Sequence, residues 1–187
     1  MSVIMNNRDH RKIFVVDGKV GFTGGINLAD EYINVASRFG YWKDTGIRLE
    51  GEAVWSMTTM FLEMWNYINH FLRGFTNSSC RRYTRKHLFE EDGYVQPYGD
   101  TPLDHETVGE NIYLNIINHA ERYVYIFTPY LIIDNEMLVS LCNAAKRGVD
   151  VRIVTPGIPD KKLIYSITRS FYHNLVQDGV RIYEWTP

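Results

Sequence analysis

Residues 147–154 read Arg-Gly-Val-Asp-Val-Arg-Ile-Val, and this junction between a helix and a strand decides the fold class. Gly148 stands where a helix C-terminal cap is expected, because glycine adopts the left-handed backbone conformation without strain. The residues before it, 136–147, favour a helix, and 149–154 form a run rich in β-branched residues. The stretch therefore predicts a helix that passes directly into a strand.

The same order of elements repeats on both sides of this junction. Helices are predicted over 106–122, 136–147 and 162–178, and they lead into strands over 123–127, 149–154 and 180–185. Gly179 occupies the cap position before the last of these strands. Alternating helices and strands favour a mainly parallel sheet covered by helices, so the predicted fold class is α/β.

The N-terminal part predicts a hairpin instead. Two short apolar strands, 13–16 and 20–23, flank Asp17-Gly18, which is a strong two-residue turn signal. Gly24-Gly25 ends the second strand, and Asn27 is expected to cap a short helix through Asp30 and Glu31. A strand over 46–50 and a long helix over 52–72 complete this part.

The long helix has an apolar stripe at helical spacing, which favours packing against a core over contact with a lipid interface. The stripe consists of Val54, Met57, Phe61, Met64, Trp65, Ile68 and Phe71.

Residues 76–104 change in composition and predict a linker. Basic residues at 81–86 precede acidic residues at 90–92, and glycines and prolines follow. The basic cluster could contact anionic headgroups, but a solvated loop with balanced charges is favoured. The predicted domains are therefore 1–75, the linker 76–104, and 105–187.

Composition excludes several function classes. A net charge of −2 over 187 residues gives no electrostatic reason to expect a nucleic-acid partner. Cys80 and Cys142 show neither metal-ligand spacing nor a disulfide pattern. Asp104-His105-Glu106 lacks a second ligand cluster, so no metal site is predicted. No apolar run approaches the roughly 20 residues that span a bilayer.

The sharpest chemical feature is His10-x-Lys12, followed by Asp17. On an extended strand, residues two apart point to the same side, so an imidazole and an ammonium are expected to face one pocket. A neutral imidazole is a nucleophile available near pH 7, and a lysine supplies a positive charge for phosphate oxygens. Asp17 is expected to orient the histidine, as carboxylates commonly do.

A phosphate site is expected beside this pair. Gly24 and Gly25 allow close backbone approach to a ligand, and a helix that starts at Asn27 would point free N–H groups at an anion. Each feature alone is weak evidence, because such pairs and turns occur on many surfaces. Their order and spacing together are far more specific.

The pattern His10-x-Lys12-x4-Asp17-x6-Gly24-Gly25-x-Asn27 resembles the HKD signature of the phospholipase D superfamily. The flanking stretches resemble those of bacterial cardiolipin synthases; they are 7–12, 24–32, 42–45, 128–130 and 147–151. The resemblance implies a phospholipase D-like mixed β-sheet flanked by helices, incomplete at both ends of this chain.

The resemblance also implies a mechanism that needs no metal or cofactor. In this family two HKD motifs face each other; one histidine attacks phosphorus and the other protonates the leaving alcohol. By that analogy His10 is the nucleophile, Lys12 and Asn27 bind phosphate with Gly24 and Gly25, and Asp17 supports the site. The same resemblance implies that phosphatidylglycerol is the substrate and that it is converted to cardiolipin and glycerol at the bacterial cytoplasmic membrane, reached through parts not in these 187 residues.

A second HKD motif is expected and is not found, because none of the other five histidines has lysine two residues later and aspartate five after that. The chain is therefore interpreted as a fragment that is inactive alone and needs a missing second half or a homodimer partner. The alternatives are a phospholipase D-type phosphodiesterase or nuclease completed by dimerisation, and a non-catalytic lipid-binding module.

Four residues of the last predicted helix lie at three- and four-residue spacing, namely Tyr165, Arg169, Tyr172 and His173. They either line a headgroup pocket or form the polar flank of an amphipathic helix, and the sequence favours neither.

Overall fold

The computed structural model describes residues 9–38, 40–73, 93–100 and 105–186. The chain divides into two compact units. The first comprises Met1–Val35 with Lys43–Gly99, and the second comprises Ala36–Trp42 with Asp100–Pro187. Most of the predicted linker, residues 76–92 and 101–104, lies outside the described residues, so the predicted domain boundaries stay a prediction.

The first unit contains an antiparallel sheet of three strands. These are β1 (Phe14–Val16), β2 (Val20–Gly24) and β3 (Gly46–Glu50), in that order across the sheet. Asp17 and Gly18 have φ of 54° and 63°, and the Lys19 amide donates to the Val16 carbonyl at 3.0 Å. Both positive φ values are those of a tight hairpin turn, which explains Asp-Gly at this point. The predicted hairpin is therefore confirmed.

Helix α1 (Ala53–Arg73) packs its first turns on this sheet. Val54 and Met57 are buried, and a Cβ on Gly21 would lie 2.7 Å from the Met57 sulfur, so the helix approaches β2 closely because residue 21 is glycine. Phe61 and Trp65 do not continue this packing. Their side chains are exposed and stack on each other, with ring centroids 5.9 Å apart. The predicted core stripe is thus wrong for these two positions.

The second unit contains a parallel sheet flanked by helices. Its elements, in chain order, are α2 (Val108–His119), β4 (Tyr123–Phe127), α3 (Asn135–Lys146), β5 (Asp150–Pro156), α4 (Lys162–Ser170), α5 (Tyr172–Gln177) and β6 (Arg181–Trp185). The strands lie in the order β4-β5-β6, all parallel. The predicted α/β class is confirmed, with parallel and antiparallel strands in separate sheets.

Helices α3 and α5 end in the same way. Gly148 and Gly179 have φ of 91° and 97°, and each amide bonds to the carbonyl three residues back. The next amides, of Val149 and Val180, reach back to Ala144 and Leu175. This paired bonding satisfies the last helical carbonyls, and the left-handed residue favours glycine. Both predicted caps are confirmed.

The core of the second unit lies between the sheet and its helices. Val151, Ile153 and Thr155 alternate inward along β5, as expected for a strand with one face on the core. Leu141 and Ala144 of α3 and Leu175 of α5 are also buried in it. The other side chains of the core cluster are Ile117, Val124, Leu131, Cys142, Val149 and Val180.

The predicted helix over 162–178 is wrong in one respect, because α4 and α5 are separated at Phe171. The Phe171 amide bonds to the Thr168 carbonyl three residues back, which tightens the turn. Thr168 is itself fixed from outside the helix, since its buried hydroxyl accepts the Leu131 amide at 3.1 Å. Across the described ranges, no helix has the length and apolar character needed to cross a membrane.

Candidate active site around His10 and Lys12

His10 and Lys12 lie just before β1, not on it, because the strand begins at Phe14. The strand alternation that was expected to align the two side chains therefore does not apply. A different contact joins them: the Lys12 ammonium donates to the His10 main-chain carbonyl at 2.6 Å. His10, which carries the imidazole, is exposed, and Lys12 is half-buried. The structure thus brings the ammonium to the backbone of His10.

The backbone on either side of His10 is held by a clamp between Asp9 and Arg11. The Arg11 guanidinium donates to both carboxylate oxygens of Asp9, at 2.9 and 2.8 Å, and the Arg11 amide donates to Asp9 Oδ1 at 3.0 Å. This two-pronged geometry is the strong form of an arginine–carboxylate pair. The side-chain hydrogen bond from Arg11 lowers the pKa of Asp9, so the carboxylate stays ionised. The sequence shows the Asp-x-Arg spacing, but the clamp was not predicted.

Asp17 serves the hairpin turn. Its carboxylate makes no hydrogen bond or ion pair with any residue that the structure describes, so the expected orientation of His10 by Asp17 is not seen. The turn separates Asp17 from His10 by the whole of β1. The supporting role of Asp17 in the site stays a prediction.

Gly24, the last residue of β2, and Gly25 after it are explained by packing within the unit. A Cβ on Gly24 would lie 2.6 Å from the Thr45 carbonyl oxygen, and one on Gly25 would lie 2.7 Å from Asp44 Oδ1. The groups that approach these glycines closely are therefore protein atoms of the chain before β3. Asp44 also accepts the Thr45 amide at 2.7 Å. The carboxylate of Asp44 beside Gly25 was not predicted as part of the site.

Asn27 does not cap a helix, and that prediction is wrong. Residues 25–38 form turns and bends, in which the Ala29 amide bonds to the Asn27 carbonyl and the Tyr32 amide bonds to the Ala29 carbonyl. Without a repeated bond to the fourth preceding residue, no helix forms over 25–38, and no helix dipole is present there. The half-buried Asn27 side-chain amide makes no hydrogen bond within the described ranges, so it is available to a ligand.

The described residues contain no group of three or more histidine, cysteine, aspartate or glutamate side chains placed to hold a metal ion. The groups that the structure presents at residues 10 and 12 are an exposed imidazole and an ammonium bound to the main-chain carbonyl of His10. An imidazole can act as a nucleophile or a proton carrier, and an ammonium stabilises negative charge on phosphate oxygens.

Comparison with known proteins gives matches over both units. Residues 113–187 match the family described as "Cardiolipin synthase, PLD-like domain". A Streptococcus mutans protein named only as uncharacterized is 54% identical over 189 residues, covering 100% of this chain and 40% of that protein. Cardiolipin synthases of Alkalihalophilus pseudofirmus and of a Geobacillus species are each 38% identical, over 97% and 100% of this chain. The chain spans 35% and 36% of the length of those two enzymes.

The family match and the predicted site fall on different units. The matched residues run from α2 to the end of β6, whereas the residues from His10 to Asn27 precede them. The similarity to the two synthases extends over the N-terminal unit as well, because it covers nearly the whole chain.

Proposed function

Because this chain belongs to the phospholipase D superfamily, we propose that it supplies one catalytic motif of a phosphatidyltransferase that makes cardiolipin. The observation that carries the proposal is that His10 is exposed and that the Lys12 ammonium binds the main-chain carbonyl of His10. The similarity of nearly the whole chain to cardiolipin synthases supports the choice of phospholipid as substrate.

In the first step a ring nitrogen of His10 attacks the phosphorus of phosphatidylglycerol. The bond from phosphorus to the headgroup glycerol breaks, and the glycerol oxygen takes a proton from a second histidine. That histidine belongs to a second motif, in a further part of the protein or in a second copy of the chain. The product of this step is a phosphatidyl-histidine and free glycerol.

In the second step a headgroup hydroxyl of another phosphatidylglycerol attacks the same phosphorus. The second histidine accepts the hydroxyl proton, the phosphorus–nitrogen bond breaks, and cardiolipin leaves with His10 restored. Lys12 and the Asn27 amide stabilise the negative charge that grows on the phosphoryl oxygens. The Asp9–Arg11 clamp limits movement of the backbone at residue 10, which favours attack from a fixed position.

The membrane enters this proposal through the substrate. Phosphatidylglycerol is a bilayer lipid with an anionic headgroup, so the reaction takes place at a membrane surface, and we assign the protein there. The net charge of −2 disfavours nucleic acid as the substrate of the same chemistry.

The test is conversion of phosphatidylglycerol labelled in its headgroup glycerol, by the protein as its gene encodes it and by the 187-residue chain alone. With the protein as its gene encodes it, we expect release of labelled glycerol together with cardiolipin, and a phosphatidyl adduct on the peptide that holds His10. His10→Asn should lower turnover at least about a thousandfold, because a nucleophile is lost. His119→Asn, which replaces an exposed histidine at the end of α2, is the matched control. Full turnover by the His10→Asn variant would refute the assignment.

A further inference from the structure

Five polar residues meet where β5 and β6 end. Thr155 of β5 and Glu184 of β6 are neighbours in the sheet register, and Tyr165, Arg169 and Tyr172 reach them from α4 and α5. We call this set the Glu184 cluster. It lies at the carboxyl ends of parallel strands, the edge at which open α/β sheets commonly bind ligands.

Two buried threonines support the Glu184 cluster from below. Thr155 is 1% exposed, and its hydroxyl lies 2.6 Å from the Tyr172 hydroxyl. Thr168, also 1% exposed, fixes α4 by accepting the Leu131 amide. Burial is the main cause that raises the pKa of Tyr165 and of Tyr172, so both hydroxyls stay protonated at neutral pH. The side chains above this base are therefore held in place before any ligand arrives.

The partners of Glu184 all approach one of its two carboxylate oxygens. Tyr165 and Tyr172 donate to Oε1 at 2.9 and 3.5 Å, and the Arg169 Nε lies 3.7 Å from it. Oε2 has no partner among the described residues, and the Glu184 side chain is 36% exposed, so solvent can reach this oxygen. The cluster thus presents one oriented oxygen that can accept hydrogen bonds from a ligand.

Arg169 is only partly paired, because its ion pair with Glu184 uses Nε alone, at 3.7 Å. Its guanidinium carbon lies 5.6 Å from the centre of the Tyr165 ring, and its side chain is 59% exposed. Its terminal Nη groups make no hydrogen bond to another described residue. A planar guanidinium with free N–H groups binds phosphate oxygens in pairs.

The Nη groups of Arg169 and Oε2 of Glu184 are the atoms of this ion pair that remain open to a ligand, and they favour a molecule that carries an anionic group and hydroxyls close together. The guanidinium fits a phosphate, whereas the adjacent carboxylate repels an anion and accepts hydroxyl hydrogens. We propose that the Glu184 cluster is a binding site for a phosphoglycerol group, with Arg169 on the phosphate and Glu184 Oε2 on the glycerol hydroxyls. The identification of this group with a phospholipid headgroup rests on the proposed function.

Direct binding tests the site without any need for turnover. The ¹⁵N-labelled chain is titrated with glycerol 1-phosphate, methyl phosphate and glycerol in separate NMR experiments. We expect glycerol 1-phosphate to bind about tenfold more tightly than methyl phosphate, which lacks hydroxyls, and to shift amides of α4 and β6. Glu184→Gln should remove the preference for glycerol 1-phosphate, and Arg169→Gln should weaken the binding of both phosphate esters. Glu121→Gln, an exposed glutamate just before β4, is the control.

Vesicles of phosphatidylglycerol or phosphatidylcholine separate a lipid headgroup from a free ester. If phosphatidylglycerol vesicles displace glycerol 1-phosphate, phosphatidylcholine vesicles do not, and Glu184→Gln abolishes the displacement, the headgroup is identified as the ligand. If glycerol 1-phosphate binds and neither kind of vesicle displaces it, the site binds soluble phosphoglycerol. Equal affinity for the two phosphate esters, or a Glu184→Gln variant that behaves like Glu121→Gln, would overturn the proposal. Equal melting temperatures and circular dichroism spectra verify that the variants fold. Tyr165→Phe removes one hydrogen bond to Glu184 and should reduce the preference for glycerol 1-phosphate, by less than Glu184→Gln does. Failure of binding leaves the His10 turnover result unaffected, so the two proposals fail separately.

Discussion

The Lys12 ammonium lies 2.6 Å from the main-chain carbonyl oxygen of His10 and donates a hydrogen bond to it. The contact is local and on exposed residues, so it contributes little to folding. Its effect is to hold a positive charge at the main chain of the residue whose imidazole we propose as the nucleophile.

Lys12→Gln is predicted to lower phosphatidyl transfer by about 100- to 1,000-fold, because a charge that stabilises the phosphoryl oxygens is removed. The melting temperature should stay within error, since the lost bond is exposed. Headgroup release from phosphatidylglycerol measures the first effect and thermal unfolding the second. Lys162→Gln, at the exposed start of α4, is the matched control. Equal losses in both variants would argue for a general charge effect.

Gly24→Ala is predicted to destabilise the protein by about 1–3 kcal/mol, because the added Cβ would lie 2.6 Å from the main-chain carbonyl oxygen of Thr45. Gly46→Ala is the control, since its Cβ would meet only the Thr23 carbonyl oxygen at 3.6 Å, an ordinary contact. Urea unfolding of the two variants measures the difference. Gly25→Ala should cost less, because its Cβ would meet the carboxylate end of the exposed Asp44 side chain, which can rotate away. A loss in Gly24→Ala no larger than that in Gly46→Ala would contradict the proposed clash.

Arg11→Gln is predicted to raise the pKa of Asp9 back towards its ordinary value, because the side-chain bond from Arg11 is the largest cause of its lowering. A lowered carboxyl pKa stabilises the fold above the unfolded-state pKa, and that contribution is lost as the pH falls through the folded-state pKa. The stability difference between wild type and Arg11→Gln should therefore be present at neutral pH and vanish in acid. ¹³C NMR titration of the Asp9 carboxyl group measures the pKa, with Arg122→Gln as the control variant. An unchanged pKa in Arg11→Gln would contradict the clamp.

Thr155→Val is predicted to cost about 1 kcal/mol or more, because it keeps the side-chain volume but leaves the buried side of the Tyr172 hydroxyl without its partner. Tyr172→Phe removes the other half of the same pair. A double-mutant cycle on the free energy of unfolding should give a coupling of about 0.5 kcal/mol or more. A coupling near zero would show that the 2.6 Å contact does not stabilise the second unit.

The strands were predictable because their signals are local. Alternating apolar residues and the stop signals at Asp17-Gly18, Gly148 and Gly179 place the six strands of the described ranges within about two residues of their observed ends. The break at Phe171 was not predictable, because it accompanies a hydrogen bond between Thr168 and Leu131, which are 37 residues apart. Periodicity alone carries no information about such a partner.

The site was predictable in residue type more than in geometry. His10 and Lys12 do lie together, but through a backbone contact that the two-residue spacing did not suggest. Gly24 and Gly25 were read as ligand contacts, whereas Asp44 and Thr45 take the space beside them. A pair of glycines shows only that something approaches closely; the sequence does not say whether it is a ligand or another segment of the same chain.

The matching helix ends at Gly148 and Gly179 have a consequence for the side chains downstream. Thr155 and Glu184 each stand an odd number of residues beyond their glycine, and the strand pairing sets them side by side. Removal of a single residue between Gly179 and Glu184 would reverse the parity of β6, and the carboxylate would emerge on the opposite surface of the sheet, away from Tyr172. Chain length over these few positions is therefore as important to the cluster as the identity of its members.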